Sequence, residues 1–173
     1  MYSEFVLENF ISILPEEWDV QINHGTKNID YIKKIVDESE IISKANSNGR
    51  FLLYNLGVEN MTHEGESDLL RTEKFWDNVD GDLLLKFECD TMLCPNSEHK
   101  VSQFEKYDYI GGYWGSQLYL PLDDLYPKLK PGGAYSQPYD GPQVLPMNGA
   151  LSIRNKEVML DLVKNHFDKY LAD

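Results

Sequence analysis

The hydrophobic period of this chain switches repeatedly between that of a helix and that of a strand, which narrows the choice of fold more than any other property. From Phe5 to Leu14 the residues Phe5, Val6, Phe10, Ile13 and Leu14 recur at helical spacing until Pro15 stops them. "WDVQINHG" then alternates Trp18, Val20 and Ile22 with polar neighbours, which predicts a strand leaving sharply at Gly25. "TKNIDYIKKIVDES" lines Ile29, Ile32, Ile35 and Val36 along one face behind a Thr26 cap. "RFLLYNLG" predicts a second strand ending at Gly57, and residues 67–79 predict one helix carrying Leu69, Leu70, Phe75 and Trp76. Residues 83–87 are apolar almost throughout, as a strand buried on both faces in the middle of a parallel sheet would be. Helices alternating with strands mean an α/β fold, here a mixed, mainly parallel sheet flanked by helices.

Beyond that run, "KVSQFEKY" predicts a short helix and "YDYIGGYW" a short strand broken at paired glycines. "GALSIRN" predicts a last strand, and "KEVMLDLVKNHFDKYL" an amphipathic helix with Val158, Leu162, Val163, Phe167 and Tyr170 inward. Residues 115–147 hold all but two of the eight prolines, together with Tyr119, Tyr126, Tyr135 and Tyr139. So long a connection inside one domain is usually either functional or disordered, and its tyrosines favour a loop that packs over something. At 173 residues the whole chain, 1–173, reads as a single domain able to bury its own core.

Charge excludes one class of partner. With 16 Lys and Arg against 29 Asp and Glu, the formal charge of −13 argues against nucleic acid, whose phosphates need a basic face. Cys89 and Cys94 lack the second pair a structural zinc site requires and read as reduced, mostly buried thiols. No apolar run approaches the roughly twenty residues of a transmembrane helix. "MYSEFVLENF" has no basic start, so the chain reads as soluble and cytoplasmic.

Open α/β sheets take ligands at the carboxyl ends of their strands. Glu88 and Asp90 follow the buried run to such an end, and on an extended chain two acids one residue apart point to the same side. Together they can approach one hard cation, Mg²⁺ or Mn²⁺, which would neutralise a diphosphate leaving group. Acid-x-acid pairs are common in acidic chains, and a solvated strand end accounts for this one about as well. His24 also ends a strand on the ligand side and is a candidate to line the same site. The chain carries no Walker loop, GxGxxG, GxSxG elbow or HExxH.

Four stretches in order, "ENFISILPEEWDVQINHGTKN", "FWDNVDGDLLLKFECDTMLCPNS", "FEKYDYIGGYW" and "MNGALSIRNKEVML", together resemble a glycosyltransferase-like domain family of unknown function. That family occurs in fungi, bacteria and large DNA viruses, and a viral member would work in the host cytoplasm. The resemblance implies a GT-A-type nucleotide-sugar fold and a metal-dependent hexosyl- or deoxyhexosyltransferase. Its partners would be a nucleotide-diphosphate sugar and a glycan or glycoprotein acceptor. Its acidic strand end falls on Glu88, Cys89 and Asp90, making Asp90 the principal contact to Mn²⁺ or Mg²⁺ and diphosphate, with Glu88 second. Its glycine-rich strand start falls on Asn148 and Gly149, beside the transferred sugar, with Ala150 in place of a second glycine. Gly112 and Tyr113 depart from its usual Ala and Pro. The acceptor side falls to Tyr113, Trp114 and Tyr139, and Asp140, with Asp123 and Asp124 behind it, is the candidate base. Family members commonly add a strand before the first helix and an acidic segment after the last. This chain opens at the helix and ends at Asp173, which leaves three readings: an excerpt, a compact variant, or a domain that has lost catalysis.

Overall fold

Helix α1 (Tyr2–Ile13) leads into β1 (Val20–His24), α2 (Ile29–Glu38), α3 (Glu40–Ser47) and β2 (Phe51–Asn55). Then follow α4 (His63–Leu69), α5 (Glu73–Asp77), β3 (Leu83–Lys86), a 3₁₀ turn (Val101–Gln103), β4 (Tyr109–Tyr113), β5 (Met147–Asn155) and α6 (Lys156–Asn165). This computed structural model describes residues 2–113 and 147–165. Two sheets result: β1 and β2 pair in parallel, and β3, β5 and β4 form an antiparallel sheet with β5 in the centre. The fold is therefore mixed α/β, but its larger sheet is antiparallel where a mainly parallel one was expected. β3 is not a central strand buried on both faces. It lies at the edge of its sheet, and all four of its residues are half-buried.

Local chemistry explains where the helices break. Ser39 adopts extended backbone, ends α2 and caps α3 by accepting from the Ile42 N–H at 3.2 Å, while its hydroxyl donates to Glu8 of α1 at 2.6 Å. The cap of α2 is Asn28, not Thr26, whose N–H is instead spent on the Val58 carbonyl. The single helix expected over 67–79 is two, because Thr72 is extended and caps α5 by accepting from the Phe75 N–H.

Three apolar clusters make the core. Leu7, Ile11, Val20, Ile32, Ile35, Ile42, Ala45 and Phe51 bind α1, α2 and α3 to the parallel pair. Val6 and Phe10 of α1 and Leu14 just past it pack on Leu85 of β3 and on Phe87 beyond its end, where the Phe10 and Phe87 rings stack 3.9 Å apart. On the opposite face, Phe75, Trp76 and Val79 meet Leu84 and the α6 residues Met159, Leu160 and Val163. Leu162 of α6, expected inward, is exposed, and Phe167 and Tyr170 lie outside the described residues. The glycine pair Gly111-Gly112 marks a register shift, Gly111 pairing with Ser152 but Gly112 with Asn148, so β5 bulges there. No helix among the described residues is long and apolar enough to cross a membrane.

Candidate functional site

The chain leaves β1 through Gly25 because another backbone segment passes close by: a Cβ there would run into the Glu59 carbonyl oxygen. The N–H groups of Thr26 and Lys27 donate to the Val58 and Glu59 carbonyls at 2.7 and 3.2 Å, tying together the segments that follow β1 and β2. His24 is thereby held at the end of β1, only 5 % exposed. Its Nδ1 lies 3.0 Å from the Gly25 carbonyl, which can only accept, so Nδ1 is the donor, and in the neutral ring Nε2 is then an acceptor.

β3 contributes Lys86, and the residues just past its end contribute Glu88. The Lys86 side chain is 11 % exposed, and its Nζ donates to Glu88 Oε1 at 2.8 Å and to Glu66 Oε1 at 2.9 Å. Glu66 comes from α4, whose first turn is capped by Thr62 accepting from the Gly65 N–H. One ammonium thus bridges two half-buried carboxylates, which satisfies its desolvated charge. Beside Lys86, on the same face of the sheet, Arg154 Nε donates to Ser152 Oγ at 3.0 Å and its guanidinium lies 5.5 Å from the Tyr109 ring centre. Burial pushes the pKa of Arg154 below its ordinary value, against the pull of Tyr109 and Glu66.

His24, Asn28, Glu66, Lys86, Glu88 and Cys89 share the wall of one cleft of about 750 Å³, which opens between β1 and β3 over apolar sides that include Ile22, Ile35 and Leu84. A second, apolar groove of about 560 Å³, lined by Met92, Val101, Phe104 and Ile110, holds none of the expected donor, metal or acceptor residues.

Of the residues singled out in the sequence, His24 and Glu88 meet in the larger cleft, and Asp90 does not line it. The geometry expected for the acid pair is corrected here. β3 stops at Lys86, and Glu88 to Thr91 form a turn closed by the Thr91 N–H donating to the Glu88 carbonyl at 3.1 Å. The Thr91 hydroxyl adds a bond from the Glu88 N–H at 3.1 Å and one to its carbonyl at 2.7 Å. The chain is therefore curled, not extended, and Asp90 is exposed in the turn. Cys89 and Cys94, expected buried, are free and exposed, because they sit in this irregular segment instead of a strand.

Gly149 lies in the β5 bulge, and its open side is taken by protein: a Cβ there would stand 2.8 Å from Arg154 Nη2. Past the shift, Asn148 of β5 pairs with Gly112 of β4, and Tyr113 with Met147. Trp114, Tyr139, Asp140, Asp123 and Asp124 lie outside the described residues.

Among the described residues no group of three or more His, Cys, Asp or Glu could hold a metal ion. A smaller donor set suits Mg²⁺ or Mn²⁺, which take one or two carboxylates and fill their other positions with water and substrate phosphate. Lys86 occupies Oε1 of Glu88, leaving Oε2, and Asp90 is exposed nearby in sequence. Glu66 and Lys86 were missed in the sequence, although a lysine inside "LLLKF" is a signal: a charge in an apolar strand needs a partner.

The family described as "Protein of unknown function (DUF5672)" matches residues 55–171, a span that takes in β3, β4, β5 and α6. No curated protein and no solved structure matches the chain.

Proposed function

This chain belongs to that family of unknown function, DUF5672, and from there we propose that it is a metal-dependent glycosyltransferase of GT-A type, moving a sugar from a nucleotide-diphosphate donor to a glycan or protein acceptor. The observation that carries this reading is the meeting of His24, Lys86 and Glu88 in one cleft at the carboxyl ends of β1 and β3, the end where α/β sheets take ligands. A cleft of about 750 Å³ is of a size that holds a nucleotide sugar. Asp90 and Oε2 of Glu88 would hold Mn²⁺ or Mg²⁺, which when bound offsets the charge of the departing nucleoside diphosphate. Lys86 fixes the Glu88 carboxylate in one orientation and adds positive charge beside the phosphates. His24 Nε2, an acceptor, takes a hydrogen bond from a donor hydroxyl or ring N–H. Asn148 and Gly149 flank the sugar in this reading, Tyr113, Trp114 and Tyr139 wall the acceptor, and Asp140 is the base.

Calorimetric titration with a panel of UDP-, GDP- and dTDP-sugars, with and without Mn²⁺, tests the proposal. Metal-dependent binding that disappears in Asp90→Ala supports it, and no binding by any member of the panel refutes it for this chain. A second reading, a degenerate transferase domain that binds sugar or nucleotide without turnover, is favoured by Lys86 already engaging both Glu66 and Glu88. Release of free nucleoside diphosphate from a bound donor separates the two.

A further inference from the structure

Helix α1 grips the segment that carries the acids at two points, through two consecutive residues. The buried ring of Phe10 stacks on Phe87, the residue before Glu88. Asn9 takes the other end: its Nδ2 donates to the Leu93 carbonyl at 3.0 Å, and its Oδ1 accepts from the Leu93 N–H at 2.8 Å. One side-chain amide thus meets both peptide groups of one residue, the exchange that paired residues make across an antiparallel ladder. Neighbours on a helix point about 100° apart, so the two residues reach separate points of the segment.

Glu88 to Met92 lie between these anchors, and Thr91 curls them by bonding both the N–H and the carbonyl of Glu88. Asn9, Thr91 and Leu93 are half-buried, whereas Cys89 and Asp90 are exposed, so the ties lie against the protein and Asp90 lies in solvent. Packing does not account for an asparagine at this position. Val6 and Phe10 of the same helix join Leu93, Val101 and Leu151 in an apolar cluster. Alanine and leucine are better helix formers, and an amide at the margin of such a cluster costs stability unless its polar atoms are met. Asn9 meets them on Leu93, which makes the turn the reason for the residue.

We infer that Asn9 is a positioning residue for the metal: by holding Leu93 it keeps the turn from Glu88 to Thr91 curled, with Glu88 and Asp90 placed for Mn²⁺ or Mg²⁺ before the ion arrives. The inference rests on the proposed assignment of the ion to those two carboxylates. Mg²⁺ demands near-ideal octahedral geometry, and a turn that had to be ordered by the ion would give up affinity to the entropy of ordering it. Helix α1 precedes the matched span 55–171, so a residue outside that span supports acids that lie inside it.

Asn9→Ala in the full chain tests this with two measurements: residue-resolved hydrogen exchange without metal, and calorimetric titration with Mn²⁺. The Leu93 and Thr91 amides should exchange at least about tenfold faster than in the parent, while those of Phe10 and Ile11 inside α1 keep their rates. Mn²⁺ affinity should fall at least about tenfold, the loss typical of a residue that orients a metal ligand without touching the metal. Asn9→Leu, close in size and a good helix former, supplies the same two measurements should the alanine variant fail to fold. Mn²⁺ affinity within about twofold of the parent, or unchanged exchange at Leu93, overturns the inference and leaves the metal reading in place. A parent chain that binds no Mn²⁺ refutes the metal reading and the inference with it.

Discussion

Replacing Lys86 with methionine removes a charge that bridges two carboxylates at the cleft wall. Methionine keeps most of the stem's volume, so the cavity contribution is small and the electrostatic loss dominates. Breaking a fully buried ion pair by removing one partner costs about 3–5 kcal/mol. Here the lysine is 11 % exposed but Glu66 and Glu88 are 33 % and 35 % exposed, so water screens part of the loss. Halving the buried figure on that ground gives about 2 kcal/mol of destabilisation at neutral pH. For a chain of this size that corresponds to a fall in Tm of roughly 4–8 °C, read by circular dichroism at low ionic strength. Adding Glu66→Gln and Glu88→Gln to Lys86→Met should restore at least half of the loss, because two neutral amides no longer repel. A Tm for Lys86→Met within about 1 °C of the parent would refute the argument that this bridge carries a desolvated charge.

Three other substitutions probe the scaffold around the site. Gly25→Ala forces a Cβ against the Glu59 carbonyl, a backbone atom that cannot swing aside, and should cost about 2 kcal/mol in urea denaturation and displace the His24 ring resonances. In Gly149→Ala the clash is only with the end of the Arg154 side chain, so a milder loss of about 1 kcal/mol is expected in the same assay. Trp76, 1 % exposed with its Nε1 donating to the Leu70 carbonyl at 2.8 Å, joins α5 to β3 and α6, and Trp76→Ala should cost about 3–5 kcal/mol with loss of near-ultraviolet dichroism.

Much of the secondary structure was legible because its signals are local. Val20 to His24 alternates, and Ile32 and Ile35 recur on one face of α2, so both elements form where the periods place them. The break inside residues 67–79 was marked by Thr72, a capping residue, but the apolar positions on either side fit one helix as well as two. The acid pair was located correctly at the end of a strand, yet its geometry was not. An Asp-Thr step that curls back on Glu88 is as compatible with the sequence as an extended chain, and the Thr91 hydroxyl decides between them.

The sequence by itself determined where most of the helices and strands lie, which faces are apolar, an acidic balance that argues against a nucleic-acid face, and the presence of acids after the third strand. Tertiary structure alone decided that β3 pairs antiparallel with β5 at a sheet edge, that Lys86 finds Glu66 as well as Glu88, and that β1 and β3 border one cleft. The physical reason is range. A hydrophobic period is written into a few neighbouring residues, whereas the partner of Leu83 is Asn155 and the partner of Lys86 sits on α4, and nothing in the local pattern of either strand encodes which distant residues will close on it.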